Sequence, residues 1–224
     1  MADIRKPHRA KGPGFGSRPA GESRPGAGSV RVIAGNWRGR RIPFPQVAEV
    51  RPTPDRVRET LFNWLQGEVA DRRVLDLFAG SGALGLEALS RGAREAVFVE
   101  QHHVVAEALV ANLSRLGAVG GAVINGDVFE YLRRAPRSFD LVFLDPPFAQ
   151  GRLTELCTLL EQGGWLNASA VIYIERAADA DAPVVPVNWT MVREMRAGEV
   201  RSSLLRRVDA RQTEVTDSAK GGEA

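Results

Sequence analysis

The segment Val74-Leu75-Asp76-Leu77-Phe78-Ala79-Gly80-Ser81-Gly82-Ala83-Leu84-Gly85 narrows the possible folds more than any other stretch of this chain. A short apolar run without helical spacing leads straight into a Gly-x-Gly turn and then into a helix-forming stretch, from about Ala83 to Arg91, the pattern of a buried strand feeding a helix. Strands apolar on both faces belong to parallel sheets, and parallel strands need crossover connections to return the chain. The pattern recurs accordingly: strand 96–100, helix 103–116 closed by Gly117, strand 122–125, short helix 128–134 and strand 139–144. Such alternation predicts an α/β chain with a mostly parallel, doubly wound sheet.

The flanks complete the plan. A helix is expected over 152–162 and a strand at Ala170–Glu175, followed by β segments at about 189–196 and 200–208 on either side of Ala197-Gly198. That spacing fits a hairpin and would give the sheet an antiparallel edge. Upstream, Thr53-Pro54 has the form of a helix N-cap followed by proline at the first helical position, with Val57, Leu61, Phe62, Trp64 and Leu65 on one face, predicting a helix over 54–66. Val30, Val32 and Ile33 precede Gly35-Asn36-Trp37-Arg38-Gly39-Arg40-Arg41-Ile42, which reads as strand, turn and returning strand with arginines at the turn. Residues 1–29 are rich in Gly, Pro, Arg and Ser and are expected to be disordered when free; 209–224 are polar and expected to fray. The predicted organisation is a basic tail (1–29), a β extension (30–50), a catalytic domain (51–208) and a polar tail.

With 224 residues there is room for one such domain and little more. The net charge is only +3, but residues 1–29 carry six Lys or Arg against two acids, residues 30–58 seven against two, and the rest 17 against 23. A basic front on an acidic body suits polyanion binding, because neutralising phosphates requires clustered cations. No apolar run is long enough to span a bilayer, and no apolar stretch follows the basic N-terminus, so a cytoplasmic location is expected. The single cysteine, Cys157, sits at helical spacing among leucines and is expected in the core. The three histidines form no ligand pattern, so no metal is expected.

Two constellations carry chemistry. Gly80-Ser81-Gly82-Ala83-Leu84-Gly85 lets a ligand approach backbone amides at a helix N-terminus, and Glu100, at the end of the next strand, is placed to accept from ribose hydroxyls. Together they indicate an adenosine-containing ligand, NAD or S-adenosylmethionine. Asp76, inside the first strand, favours a cationic ligand bearing an amino group and would repel a pyrophosphate. Asp127 is placed to accept from an adenine amino group. The second constellation, Asp145-Pro146-Pro147-Phe148, follows the strand Phe139–Leu144 at the carboxyl edge, where sheets of this class bind ligands. An exocyclic amine on a nucleobase is a poor nucleophile because its lone pair is delocalised into the ring. The Asp145 carboxylate and the Pro146 carbonyl would hold its two N–H groups and aim the lone pair at a sulfonium methyl, while Phe148 stacks on the base. No nucleophile with a supporting base is evident.

Arg31–Arg40, Arg51–Leu65, Asp76–Leu89 and Asp145–Phe148, four blocks in order, resemble the RsmD-type methyltransferases over about residues 30–208. The resemblance implies a class I S-adenosylmethionine-dependent methyltransferase fold, Rossmann-like, with a short N-terminal β extension. It also implies methylation of the N2 amine of one guanine, position 966, in 16S rRNA, the substrate being a 30S assembly intermediate. By position it implies cofactor contacts from Asp76, Phe78, Gly80, Ser81, Gly82, Glu100 and Asp127, and target-base handling by Asp145, Pro146, Pro147 and Phe148. Arg38, Arg40, Arg41, Arg51, Arg56 and Arg58 become the candidate RNA contacts. A monomer is expected. The alternatives are a DNA adenine-N6 methyltransferase, a protein-amide methyltransferase, an NAD-dependent oxidoreductase and a non-catalytic RNA-binding protein. The first lacks room for a duplex-reading domain, the second has no use for the arginines, and the third conflicts with Asp76. The last would leave the intact motifs idle.

Overall fold

A computed structural model describes residues 27–45, 47, 53–147 and 151–208. The expectations for residues 1–26 and 209–224, and for Arg51 and Phe148, lie outside the described residues. The N-terminal extension is the antiparallel pair β1 (Ala27–Arg31) and β2 (Arg41–Pro45), joined through a single 3-10 turn at Gly35–Trp37. Residues 27–29, assigned to the tail on composition, belong to β1: Gly28 pairs with Phe44 and Ser29 with Pro43. Pairing with an apolar partner strand satisfies backbone groups that composition alone would leave to water.

The body follows as α1 (Asp55–Trp64), β3 (Arg73–Asp76), α2 (Ala83–Ser90), β4 (Glu95–Glu100), α3 (His103–Leu116), β5 (Gly121–Asn125), α4 (Val128–Leu132), β6 (Phe139–Leu144), α5 (Leu153–Gln162), β7 (Leu166–Ala177), β8 (Trp189–Ala197) and β9 (Val200–Arg207). Its seven strands lie in the order β5-β4-β3-β6-β7-β9-β8. The first five are mutually parallel, and β9 runs antiparallel to both β7 and β8. The expected hairpin thus forms the edge, turning at Gly198, whose φ of 62° is a left-handed value that glycine adopts without strain. Chain order reverses between β3 and β6, so the loops that leave these two strands open a crevice at the carboxyl edge of the sheet.

Both faces of the sheet are covered. On one, the hairpin residues Val30, Val32, Ile42 and Phe44 join Leu61, Phe62 and Leu65 of α1 and Leu109 and Leu113 of α3 in a single core. On the other, Phe129 and Leu132 of α4, Leu156, Cys157 and Leu160 of α5, and Trp165 pack on β3, β6 and β7. Cys157 is fully buried, as its apolar surroundings in sequence require. The strand residues Val74, Leu75, Val142, Phe143 and Leu144 are all inaccessible to solvent, each stabilising the fold by roughly 1.5–3 kcal/mol through apolar burial. Among the described residues no helix is long and apolar enough to cross a membrane, and no cluster of His, Cys, Asp or Glu has metal-site geometry.

Other sequence-based boundaries differ as well, β7 beginning at Leu166 rather than Ala170. Helix α1 begins at Asp55, with Pro54 rather than Thr53 at the cap and no side-chain capping bond. The Thr53 hydroxyl is used elsewhere: it donates to Asp145 Oδ2 at 3.4 Å, ninety-two positions away in sequence.

Candidate active site

The glycine turn after β3 works by close approach. Gly80 and Gly82 have φ of 49° and 76°, and a Cβ on Gly82 would come within 2.5 Å of Leu109 Cδ1. Helix α2 is pulled so tightly onto β4 that a Cβ on Gly85 would lie 2.2 Å from the Phe98 ring. Ser81 is buried in this turn and Phe78, just before it, is half-buried. Glu100 braces the turn: its Oε2 accepts from Gly80 N at 2.8 Å and its Oε1 from His102 N at 2.7 Å. Each oxygen retains a lone pair, so the carboxylate remains able to accept from ribose hydroxyls. Asp127 caps α4 through Oδ1, which accepts from Phe129 N and Glu130 N, and its exposed side chain keeps Oδ2 for a ligand.

Asp76 lies at the bottom of the crevice, 2% exposed, accepting from Gly85 N at 3.0 Å. Desolvation pushes its pKa up to about 7, the Gly85 amide opposes this, and the negative charges of Asp145 and Glu100 add to the rise. Asp145, immediately beyond β6, is likewise raised by burial, with the Thr53 hydroxyl opposing. Pro146 is buried and Pro147 half-buried beside it. Three carboxylates, Asp76, Glu100 and Asp145, therefore converge at the switch point, and neither Asp76 nor Asp145 has an ion-pair partner among the described residues. Buried acids without cations suit a ligand that brings its own positive charge. The ammonium and sulfonium of S-adenosylmethionine fit that donor set, and the close glycine turn fits its adenosine. A pyrophosphate would add anions to anions.

The arginines divide. Arg38, Arg40 and Arg41 are exposed on the hairpin and Arg56 is exposed on the first turn of α1, all open to a polyanion. Arg58 is not. It is fully buried, donating to Thr53 O, Arg31 O and Asp55 Oδ1 and lying 3.7 Å from Glu87. A guanidinium sealed beneath the hairpin cannot reach a phosphate, so its assignment as an RNA contact is corrected to a structural one. Sequence reasoning treated all six arginines alike because burial of a charge depends on a partner distant in the chain. That partner, Glu87, was missed. Fully buried in α2, it accepts from Ile33 N and Ala34 N at 2.7 and 3.0 Å and pairs with Arg91, bolting the hairpin to the body. Trp37 packs half-buried against this core, as does Trp64.

Two further site residues escaped the sequence: Thr53, read as a helix cap, and Glu175, read as the end of a strand. Glu175 is 3% exposed on β7 and accepts a 2.6 Å hydrogen bond from the Tyr173 hydroxyl.

Comparison with known proteins agrees with this geometry. The family model described as conserved hypothetical protein 95 matches residues 30–206. Ribosomal RNA small subunit methyltransferase D of Escherichia coli K12 is 47% identical over 182 residues, 81% of this chain and 92% of that protein. The protein of the same description from Haemophilus influenzae is 43% identical, over 77% of this chain and 91% of its own length. The Escherichia coli protein yhhF, of known structure, superposes with a TM-score of 0.76 at 45% identity, covering 81% of this chain and 99% of that one. The fold is thus that of a methyltransferase, and this chain belongs to the RsmD family of ribosomal RNA small subunit methyltransferases.

Proposed function

We propose that this chain transfers a methyl group from S-adenosylmethionine to the exocyclic N2 amine of guanine 966 in 16S rRNA, acting in the cytoplasm, as a monomer, on a 30S assembly intermediate. The observation that carries the reading is the meeting of Asp76 and Asp145 at the ends of adjacent strands, close enough for the charge of one to raise the pKa of the other. In this reading Asp76 serves the cofactor and Asp145, beside the two prolines, serves the base.

When bound, S-adenosylmethionine supplies an electrophilic methyl carbon on a sulfonium, and its carbon–sulfur bond breaks as the nitrogen–carbon bond forms. Asp76 would hold the ammonium of that cofactor, Glu100 its ribose hydroxyls and Asp127 its adenine amine. Asp145 accepts one N–H of the target amine and the Pro146 carbonyl the other, which draws the nitrogen toward a pyramidal geometry and directs its lone pair. Methylation leaves the nitrogen positively charged with one proton too many. Asp145, whose raised pKa makes it a better base than an exposed aspartate, is the nearest acceptor for that proton. Arg38, Arg40, Arg41 and Arg56 would contact the RNA backbone and position the substrate. The target base must leave its stack to reach the pocket, at a cost of a few kcal/mol that these contacts offset.

The test is methyl transfer from labelled S-adenosylmethionine to undermethylated 30S particles, with nuclease digestion and mass spectrometry of the product nucleoside. N2-methylguanosine at one site supports the reading. Label in N6-methyladenosine, or in protein, refutes it.

A further inference from the structure

The exocyclic-amine chemistry accounts for Asp145 but leaves Glu175 without a task. The strands β6 and β7 pair in parallel through Leu144 and Ile174, so Asp145 and Glu175 are the next residues on each, side by side and on the same face of the sheet. They sense each other electrostatically: burial raises the Glu175 pKa, and the neighbouring Asp145 charge raises it further. Neither forms an ion pair among the described residues, and each is held instead by a hydroxyl, Asp145 by Thr53 and Glu175 by Tyr173. A buried acid beside a half-buried one, with no cation, destabilises the fold and persists where a ligand uses the pair.

Glu175 also lines a cavity of about 180 Å³, together with Pro146, Pro147, Leu153 and Arg176. That volume corresponds to about six waters at their share of liquid volume, the scale of one planar base. Tyr173, behind the cavity wall, occupies Glu175 Oε1, which leaves Oε2 as the acceptor for an occupant. The Arg176 guanidinium is engaged by the cavity wall, donating to Ala177 O and Ala180 O. Asp145 does not line this cavity but directly precedes Pro146, which does, so an occupant that reaches both acids must offer two neighbouring donors. Guanine does so along one edge, with N1–H beside the N2 amine, whereas adenine presents an acceptor, N1, beside its amine.

We propose that Glu175 reads the identity of the target base, its Oε2 accepting the N1–H of guanine while Asp145 holds the N2 amine, with Tyr173 as the positioning residue that fixes the carboxylate. This assignment rests on the guanine-N2 reading and adds the group that makes it guanine-specific. A purine that keeps the 2-amine but lacks N1–H turns an acceptor toward the acceptor pair. Two such bases are 2,6-diaminopurine and 2-aminopurine, the second lacking any group at position 6.

The experiment places guanine, 2,6-diaminopurine or 2-aminopurine at the target position of rRNA in reconstituted 30S particles and measures kcat/KM for the full chain and for Glu175→Gln. With the wild type assayed above about pH 8, where Glu175 is ionised, both analogues should fall below guanine by between roughly tenfold and a hundredfold, the range expected for one buried hydrogen bond to a charged group. In Glu175→Gln, with Tyr173 still donating to the amide oxygen, the Nε2 group faces the base as a donor, so the preference for guanine over both analogues should shrink tenfold or reverse. Analogues that react as well as guanine, a penalty confined to one of them, or a Gln variant that slows all three bases equally would each overturn the assignment while leaving guanine-N2 methylation intact. Absence of transfer to guanine by the wild type would overturn the underlying reading, and this assignment with it.

Discussion

Replacing Asp76 by asparagine should make the protein more stable and at the same time unable to retain its cofactor. The carboxylate is 2% exposed and accepts one backbone hydrogen bond, from Gly85 N, with the charges of Asp145 and Glu100 nearby. Burial raises its pKa from 3.8 to about 7. Because the folded-state value lies above the unfolded one, the folded protein binds more protons between these two limits, and stability falls as pH rises through that window. A rise of this size corresponds to about 4 kcal/mol once both states are ionised, of which roughly 2–3 kcal/mol develops between about pH 5 and pH 8. Asparagine keeps an acceptor for Gly85 and carries no charge, so its advantage over aspartate should grow by that amount across the same interval. Urea unfolding of both proteins near pH 5 and pH 8 measures the difference directly. Equilibrium dialysis with S-adenosylmethionine should show the companion effect, loss of affinity in the variant and, in the wild type, affinity that declines as pH drops below about 7 and Asp76 is protonated. A variant less stable than the wild type at both pH values, or a gain independent of pH, would refute the reasoning and reduce Asp76 to a cap for the α2 N-terminus.

The other expectations follow from burial and reach. Asp145→Ala should abolish methyl transfer while leaving S-adenosylmethionine affinity nearly unchanged, because its partner is the target amine; loss of cofactor binding in that variant would contradict the role. Neutralising Arg38, Arg40 or Arg56 should weaken RNA binding and lower its salt slope by about 0.7–0.9 for each phosphate left without its cation, measured by binding titrations at several salt concentrations. Removing Glu87 takes away one of the two carboxylates beside buried Arg58 and leaves Ile33 N and Ala34 N without their acceptor, and should cost roughly 3–5 kcal/mol in unfolding experiments, an effect no surface arginine should reproduce. Cys157, whose thiol is pushed up to about 12 by burial, should resist alkylation in the native protein and react on unfolding; rapid labelling of the folded chain would place it outside the core.

Much of this architecture was legible in the sequence because its causes are local. Apolar runs without helical spacing, glycines where the backbone must approach a helix, and the hairpin signal at Ala197-Gly198 each act through neighbours a few residues away, and β3, α2, β6 and the β8–β9 hairpin formed where those signals stood. The carboxyl-edge placement of Asp76, Glu100 and Asp145 followed as well, since a residue that ends a parallel strand lies at that edge whatever the rest of the chain does.

What remained hidden depends on partners distant in the chain. Thr53 has the form of a helix cap, yet its hydroxyl bonds Asp145 across the crevice. Arg58 looks like its exposed neighbour Arg56, yet Glu87 and the hairpin backbone bury it. Glu175 reads as the polar end of an apolar strand, and only the register of β7 against β6 sets it beside Asp145. By itself, then, the sequence determined the order of strands and helices, the cofactor turn and the acids at the sheet edge, because propensity, periodicity and glycine geometry operate over a few residues. The tertiary structure decided which charges are buried, which arginines stay exposed and which acids lie side by side, because desolvation and electrostatic coupling are set by distance in space, which sequence separation does not encode.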